Sequence, residues 1–169
     1  LWANLGDWSA ADDYPEAARG LAERLGEAAG LSPGQRVLDA GCGAGDQLRV
    51  WIEAFGVDRV TAIERDERLA RLAAARVEGW EMGDRVRVYE ADAARDDLPG
   101  GRFDCVLSLD AAYLFRPRAA FIERARVALR PGGVLAMADL TLGTGRPATF
   151  SRLLAPVCGV PSANLLTCL

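Results

Sequence analysis

The stretch Val37-Leu38-Asp39-Ala40-Gly41-Cys42-Gly43-Ala44-Gly45-Asp46 decides the fold. A short apolar run enters three alternating glycines, and helical spacing of apolar residues begins directly after them. That order reads as a buried strand, a tight loop and a helix. Glycine lets the backbone turn sharply and, having no Cβ, lets a ligand come close. The helix opening at Asp46 aims its free N–H groups at whatever lies in the loop. A tight strand-to-helix turn without a ligand is the plain alternative. The spacing narrows the choice of ligand. A dinucleotide loop reads G-x-G-x-x-G, and its last glycine packs the helix beneath a pyrophosphate. Here the pattern is G-x-G-x-G, and Asp46 stands where that last glycine belongs. A carboxylate at a helix start repels a pyrophosphate, and Asp39 adds a second negative charge. A cationic or zwitterionic ligand suits this loop better.

Outward from the loop, strands and helices alternate. The strand covers 36–40 and the helix 46–55, where Gly56 ends it. A second strand is predicted over 59–64, a helix over 66–78, a third strand over 86–90 and a fourth over 103–109. A short helix or loop, closed by Leu98-Pro99-Gly100-Gly101, separates the third strand from the fourth. A helix over 117–129 then leads to Pro131-Gly132-Gly133, which turns the chain into a fifth strand over 134–140. Upstream, Asp13 can cap a helix starting near Tyr14, with Pro15 in its first turn. Leu21, Leu25 and Ala28 continue that helix, and Gly30 and Ser32-Pro33-Gly34 end it. Such alternation predicts an α/β, doubly wound parallel sheet of about five strands with helices on both faces. Three segments result: an irregular arm (1–13), the α/β domain (14–142) and a breaker-rich tail (143–169) with a short helix near 148–154.

Composition bounds the function. The chain has 169 residues, half of them hydrophobic, enough for one domain and too few for two. A net charge of -4 argues against nucleic acid as a partner. Every basic residue is Arg, a sign of coding bias rather than function. No apolar run is long enough to span a membrane, and the N-terminus lacks the pattern of a signal peptide. Cys42, Cys105, Cys158 and Cys168 show no CxxC spacing, so a reduced, cytoplasmic chain is expected. The sequence holds no histidine, which excludes a Ser-His-Asp triad and a His-ligated metal, and no metal site is expected.

The other candidates sit at strand ends. Glu64 closes the second strand, where a carboxylate can accept both hydroxyls of a ribose; alone it is equally a solvated strand-end carboxylate. Asp92 follows the third strand and can accept from an exocyclic adenine amine or cap the next segment. Asp110 and Tyr113 follow the fourth strand. The first and fourth strands flank the point where strand order reverses, so this segment should border the reaction site. Tyr113 is as easily a half-buried packing aromatic. Cys42 and Cys105 read as small apolar fillers.

Together these segments resemble the class I S-adenosylmethionine-dependent methyltransferases, whose fold is a Rossmann-like sheet. The run 37–45 looks like the family's first motif. Glu64, Asp92-Ala93 and Leu129-Arg130-Pro131-Gly132-Gly133 match its later motifs in order and spacing. The arm Asn4-Leu5-Gly6-Asp7-Trp8 is similar to the N-terminal segment of small-molecule methyltransferases of the quinone, sterol and natural-product type. The resemblance implies S-adenosyl-L-methionine as cofactor. The backbone of Ala40, Gly41, Cys42, Gly43 and Gly45 would surround its methionine part, with Asp39 near the amino group. Glu64, with Arg65 beside it, would take the ribose, and Asp92 and Ala93 the adenine. Ser108 and Leu109 would border the methionine end. Tyr113, with Trp8 or Tyr14, would wall off the methyl group.

The family sheet continues beyond the fifth strand with an antiparallel hairpin. No such strands are legible before Leu169, so the C-terminal hairpin is expected to be missing. An uncovered fifth strand is prone to pair with another chain, which makes a homodimer an expectation. Methyl transfer asks mainly for in-line alignment. A base is needed only when the acceptor keeps its proton, and Asp110, or an arm residue such as Asp7, is the candidate. The leading reading is an enzyme that methylates a small-molecule acceptor. The alternative is a non-catalytic module that binds the cofactor or a partner. A nicotinamide-dependent oxidoreductase is a third reading, opposed by Asp46 and the glycine spacing.

Overall fold

A computed structural model describes residues 2–99 and 101–139. Helix α1 (Tyr14–Ala29) starts as predicted: the Asp13 side chain accepts the Glu16 N–H at 2.9 Å, and Gly30 ends it at φ 67°. There follow β1 (Arg36–Ala40), α2 (Asp46–Glu53), β2 (Arg59–Glu64), α3 (Glu67–Gly79), β3 (Val86–Glu90) and β4 (Phe103–Leu109). A single 3-10 turn (Ala112–Leu114), α4 (Arg118–Ala128) and β5 (Leu129–Ala138) complete the described chain.

All pairings are parallel and the strand order is β3-β2-β1-β4-β5. The chain therefore enters the sheet at its centre, winds out through β2 and β3, then returns to the other side of β1. The alternation of β1 side chains sorts the two faces. Val37 packs into the core beneath α1, α2 and α3, with Leu48, Trp51 and Val77. Leu38 and Ala40 pack into the opposite core, with Val106, Phe121 and Ala125 of α4. Both faces are covered, as the apolar character of β1 requires.

Of the helix or loop expected after β3, residues 91–99 form the loop, as turns. Two local readings change. β5 begins at Leu129, and Pro131-Gly132-Gly133 is an irregularity inside it instead of a preceding turn. Phe103 pairs with Leu129 and Cys105 with Val134, so the extra residues bulge out of the ladder. Gly132 takes φ 77°, and a Cβ on Gly133 would stand 3.0 Å from the Asp104 carbonyl oxygen. Helix α4 stops one residue earlier than predicted because Leu129 is already extended (φ -72°, ψ 144°). The predicted tail, its short helix, Leu140, Cys158 and Cys168 lie outside the described residues. Among those residues, no helix is long and apolar enough to cross a membrane.

Candidate functional site

A cleft opens beyond the carboxyl ends of β1 and β4, where the strand order reverses. It holds two adjoining cavities. The larger, about 200 Å³, is walled by the loop Gly41–Gly45, by Asp46 and Gln47, by Leu109, Asp110 and Tyr113, and by Trp2, Ala3 and Asn4 of the arm. The smaller, about 60 Å³, is walled by Ile63, Arg65, Asp92, Ala93 and Phe115. Gly41, Glu64, Ala111 and Leu114 border both, so the two form one continuous cleft. A separate surface groove of about 600 Å³ lies beside α4, against Leu98, Arg102 and Val127, and shares none of these groups.

The three glycines are required for different reasons. All take positive φ (79°, 55° and 84° for Gly41, Gly43 and Gly45), a region that costs other residues. A Cβ on Gly41 would come 2.6 Å from the Cβ of Ala111, and one on Gly45 would come 3.1 Å from that of Ala73. A Cβ on Gly43 would meet nothing within 4 Å. Gly41 and Gly45 are therefore held by packing, whereas Gly43 leaves space on the cavity side.

Asp39 is fully buried and lines neither cavity. Its Oδ2 accepts the Trp51 indole N–H at 2.6 Å, and its Oδ1 has no hydrogen-bond partner. Burial pushes its carboxyl up to about 7, opposed by the Trp51 indole and the Gln47 amide and aided by the Glu64 charge. Ala40 and Ser108 are also buried away from the cavities. Ser108 Oγ donates to the Ala40 carbonyl at 3.0 Å, tying β4 to β1 instead of bordering a ligand. Cys42 is buried against the same core, and desolvation holds its thiol well above the ordinary range, which suits a filler rather than a nucleophile.

The loop carboxylates are engaged. Arg76 donates to both oxygens of Asp46 at 2.6 Å. Arg76 therefore offsets part of the negative charge that Asp46 brings to the loop. Glu64 Oε2 accepts the Gly43 N–H at 3.0 Å and Oε1 the Asp66 N–H at 2.9 Å. This carboxylate is aimed at the loop and keeps further lone pairs for a ligand. Asp92 Oδ1 accepts the Ala94 N–H at 2.9 Å, while Oδ2 stands 4.0 Å from exposed Arg65. One oxygen shapes the turn and the other faces the smaller cavity's cation.

At the far end, Asp110 adopts φ 51° and its Oδ2 accepts the Leu5 N–H at 2.8 Å. Burial raises its carboxyl above the ordinary range, against the Leu5 N–H and with help from Asp139. The arm reaches the cleft through Trp2, Ala3 and Asn4, not through Trp8 or Tyr14. Those two rings stack on each other, centroids 6.5 Å apart, and donate to the carbonyls of Leu5 and Asn4 at 2.8 Å. Asp7 faces α1, where Arg24 holds it at 2.6 Å, so it is no base for this cleft.

Sequence reasoning missed Trp51, Arg76 and the Trp2–Asn4 segment. Trp51 was findable: a buried indole needs an acceptor, and Asp39 is the carboxylate in the strand beneath it. Arg76 carried no signal, being one arginine of several on α3.

Fold and cleft define a doubly wound α/β core with an open cleft at its switch point. A family model described as a methyltransferase domain matches residues 37–133. Erythromycin 3''-O-methyltransferase of Saccharopolyspora erythraea is 39% identical over 142 residues, which cover 82% of this chain and 46% of that protein. 27-O-demethylrifamycin SV methyltransferase of Amycolatopsis mediterranei is 35% identical over 127 residues, 75% of this chain and 46% of that one. A solved S-adenosylmethionine-dependent methyltransferase from Geobacter sulfurreducens, in complex with S-adenosyl-L-homocysteine, aligns with a TM-score of 0.67 at 27% identity, covering 90% of this chain and 59% of that chain. The chain belongs to the methyltransferase-domain family and has the class I, S-adenosylmethionine-dependent type of fold. It spans about half the length of the curated relatives it matches.

Proposed function

We propose that residues 14–142, with 1–13 as an arm, form the S-adenosylmethionine-binding part of an enzyme that methylates a small-molecule acceptor. One observation carries this reading: the glycine loop, Glu64, Asp92 and Asp110 converge on one acidic cleft. Beside the Asp46–Arg76 pair, three carboxylates face the cleft, and Arg65 is the one cation lining it among the described residues. That sign suits a sulfonium and an ammonium. The open side of Gly43 and the lone pairs of Glu64 and Asp92 suit the polar remainder of the cofactor. The two relatives are named for acting on erythromycin and 27-O-demethylrifamycin SV, which favours a natural-product hydroxyl as acceptor.

When bound, S-adenosylmethionine supplies a methyl on sulfur that needs no activation by the protein. The chain's work is orientation and exclusion of water. Glu64 orients the ribose hydroxyls, and Asp92 and Ala93 the adenine edge. Tyr113, Leu114 and the Trp2–Asn4 segment close the cleft over the methionine end. Asp110, with its carboxyl raised by burial, takes the proton of a hydroxyl acceptor. A cytoplasmic location fits the free thiols of Cys42 and Cys105. A homodimer completes the reading, and light scattering tests it.

Titration calorimetry tests the core claim. The chain should bind S-adenosylmethionine and S-adenosylhomocysteine and give no heat with NAD; Glu64→Ala should weaken both ligands at least about tenfold, the loss of charged hydrogen bonds. Binding of NAD alone would sink the proposal. Binding without turnover of any hydroxylated acceptor would leave a non-catalytic module.

A further inference from the structure

The first residue of α2 is an acid on the wall of the larger cavity, and a residue 30 positions away controls it. Arg76, in the last turn of α3, grips Asp46 with both ends of its guanidinium at 2.6 Å. The same Nη1 donates to the Ala44 carbonyl at 2.8 Å. Arg76 is itself fixed from behind, 4.7 Å above the Trp80 ring, which also carries Arg49 at 5.3 Å. The pair is largely shielded, its side chains 25% and 12% exposed. Bidentate, shielded pairs of this kind hold geometry as well as charge.

Two consequences meet at the cavity. Ala44 lies between Gly43 and Gly45, both in the left-handed region, so fixing its carbonyl fixes the second half of the loop. Asp46 lines the cavity while Arg76 does not, so a ligand there feels a carboxylate whose charge Arg76 offsets from behind. The charge matters because S-adenosylmethionine carries one more positive charge than its demethylated product. Removing a positive charge beside the cavity favours the sulfonium, and removing a negative one favours the neutral thioether.

We propose that Arg76 is a positioning and charge-balancing residue: it clamps Ala44 and Asp46 and offsets the Asp46 charge, tuning how the site discriminates cofactor from product. This rests on the cofactor reading above. Calorimetry with S-adenosylmethionine and S-adenosylhomocysteine on wild type, Arg76→Gln, Asp46→Asn and the double variant tests it. Arg76→Gln should shift the affinity ratio toward S-adenosylmethionine by about threefold or more, the scale of one uncovered charge near the surface. Asp46→Asn should shift it the opposite way, and the double variant should return it to the wild-type ratio. If Arg76→Gln does not fold, Asp46→Asn still reports the sign, and Arg76→Lys should weaken both ligands with the ratio kept. Equal weakening of both ligands by Arg76→Gln or by Asp46→Asn would overturn the proposal and leave Arg76 a structural clamp. Wild type binding neither ligand would instead overturn the cofactor reading.

Discussion

The two ends of the cleft are held together in different ways. At the glycine loop, Gly41 and Cys42 both donate to the Ile63 carbonyl at 2.8 and 3.1 Å, Gly45 donates to Cys42 at 2.9 Å, and Gly43 donates to Glu64 at 3.0 Å. These acceptors lie on β2 or in the loop itself, and Asp39, Trp51 and Arg76 brace the loop from behind. At the Asp110 end, the arm meets β4 through the Leu5–Asp110 bond, which spans 105 positions of sequence. Trp8 and Leu5 stay largely exposed there. One end is part of the core, whereas the other is a terminal segment laid across it. The core end can hold a cofactor in fixed geometry, while the arm end can open.

Asp39 offers the largest test of how deeply the first end is built in. Its carboxyl keeps its proton to about pH 7 when folded, against an ordinary value of 3.8. The stabilisation from that retained proton is whole below pH 4 and is lost as the pH rises through 7. The difference amounts to about 4 kcal/mol across the window. Urea unfolding at several pH values should show Asp39→Asn gaining stability on wild type by that order between pH 4 and 8. Parallel profiles would mean that Asp39 ionises without penalty and that the loop end is not sealed.

The glycines sharpen the comparison within the loop. Gly41→Ala meets both the positive φ and the Ala111 Cβ. Strain and overpacking together should cost about 3 kcal/mol. Gly43→Ala meets the φ alone and should cost about 1 kcal/mol. Yet the Gly43 variant should lose S-adenosylmethionine binding while it remains folded, because its new methyl enters the ligand's space. Equal losses of thermal stability in the two variants would erase the distinction between a packing glycine and a ligand glycine.

These differences also explain what the sequence could reveal. The strand, loop and helix from Arg36 to Asp46 are set by neighbours in sequence, so a change of apolar period exposes them. The return from β3 to β4 follows from the same alternation. Strand-end residues such as Glu64 and Asp92 were legible because the sheet's geometry puts them at one edge. Arg76 and Trp51 were not, because their meaning lies in partners reached only by packing helix on strand. The arm misled most: Trp8 and Tyr14 drew the eye as aromatics, but their polar tips bond the arm's own backbone, and the plainer Trp2–Asn4 segment lines the cleft. Pro131-Gly132-Gly133 likewise signals a turn by composition, and only pairing with β4 makes it a bulge.

The smallest expected effect lies at the arm, and it decides whether the two ends move separately. Asp110→Asn keeps a hydrogen-bond acceptor and tolerates the left-handed backbone that Asp110 occupies. It removes only the charge from the bond to the Leu5 N–H. That should weaken the latch by about 0.5 kcal/mol. Hydrogen exchange at the Leu5 amide should then quicken about two- to threefold, since an exposed latch opens locally rather than by global unfolding. The Gly43 amide, bonded to Glu64 at the cleft wall, should exchange at its wild-type rate in the same sample. Equal acceleration at both amides would mean that arm and loop open as one unit, and that the Asp110 end is no freer to admit an acceptor than the loop is to release a cofactor.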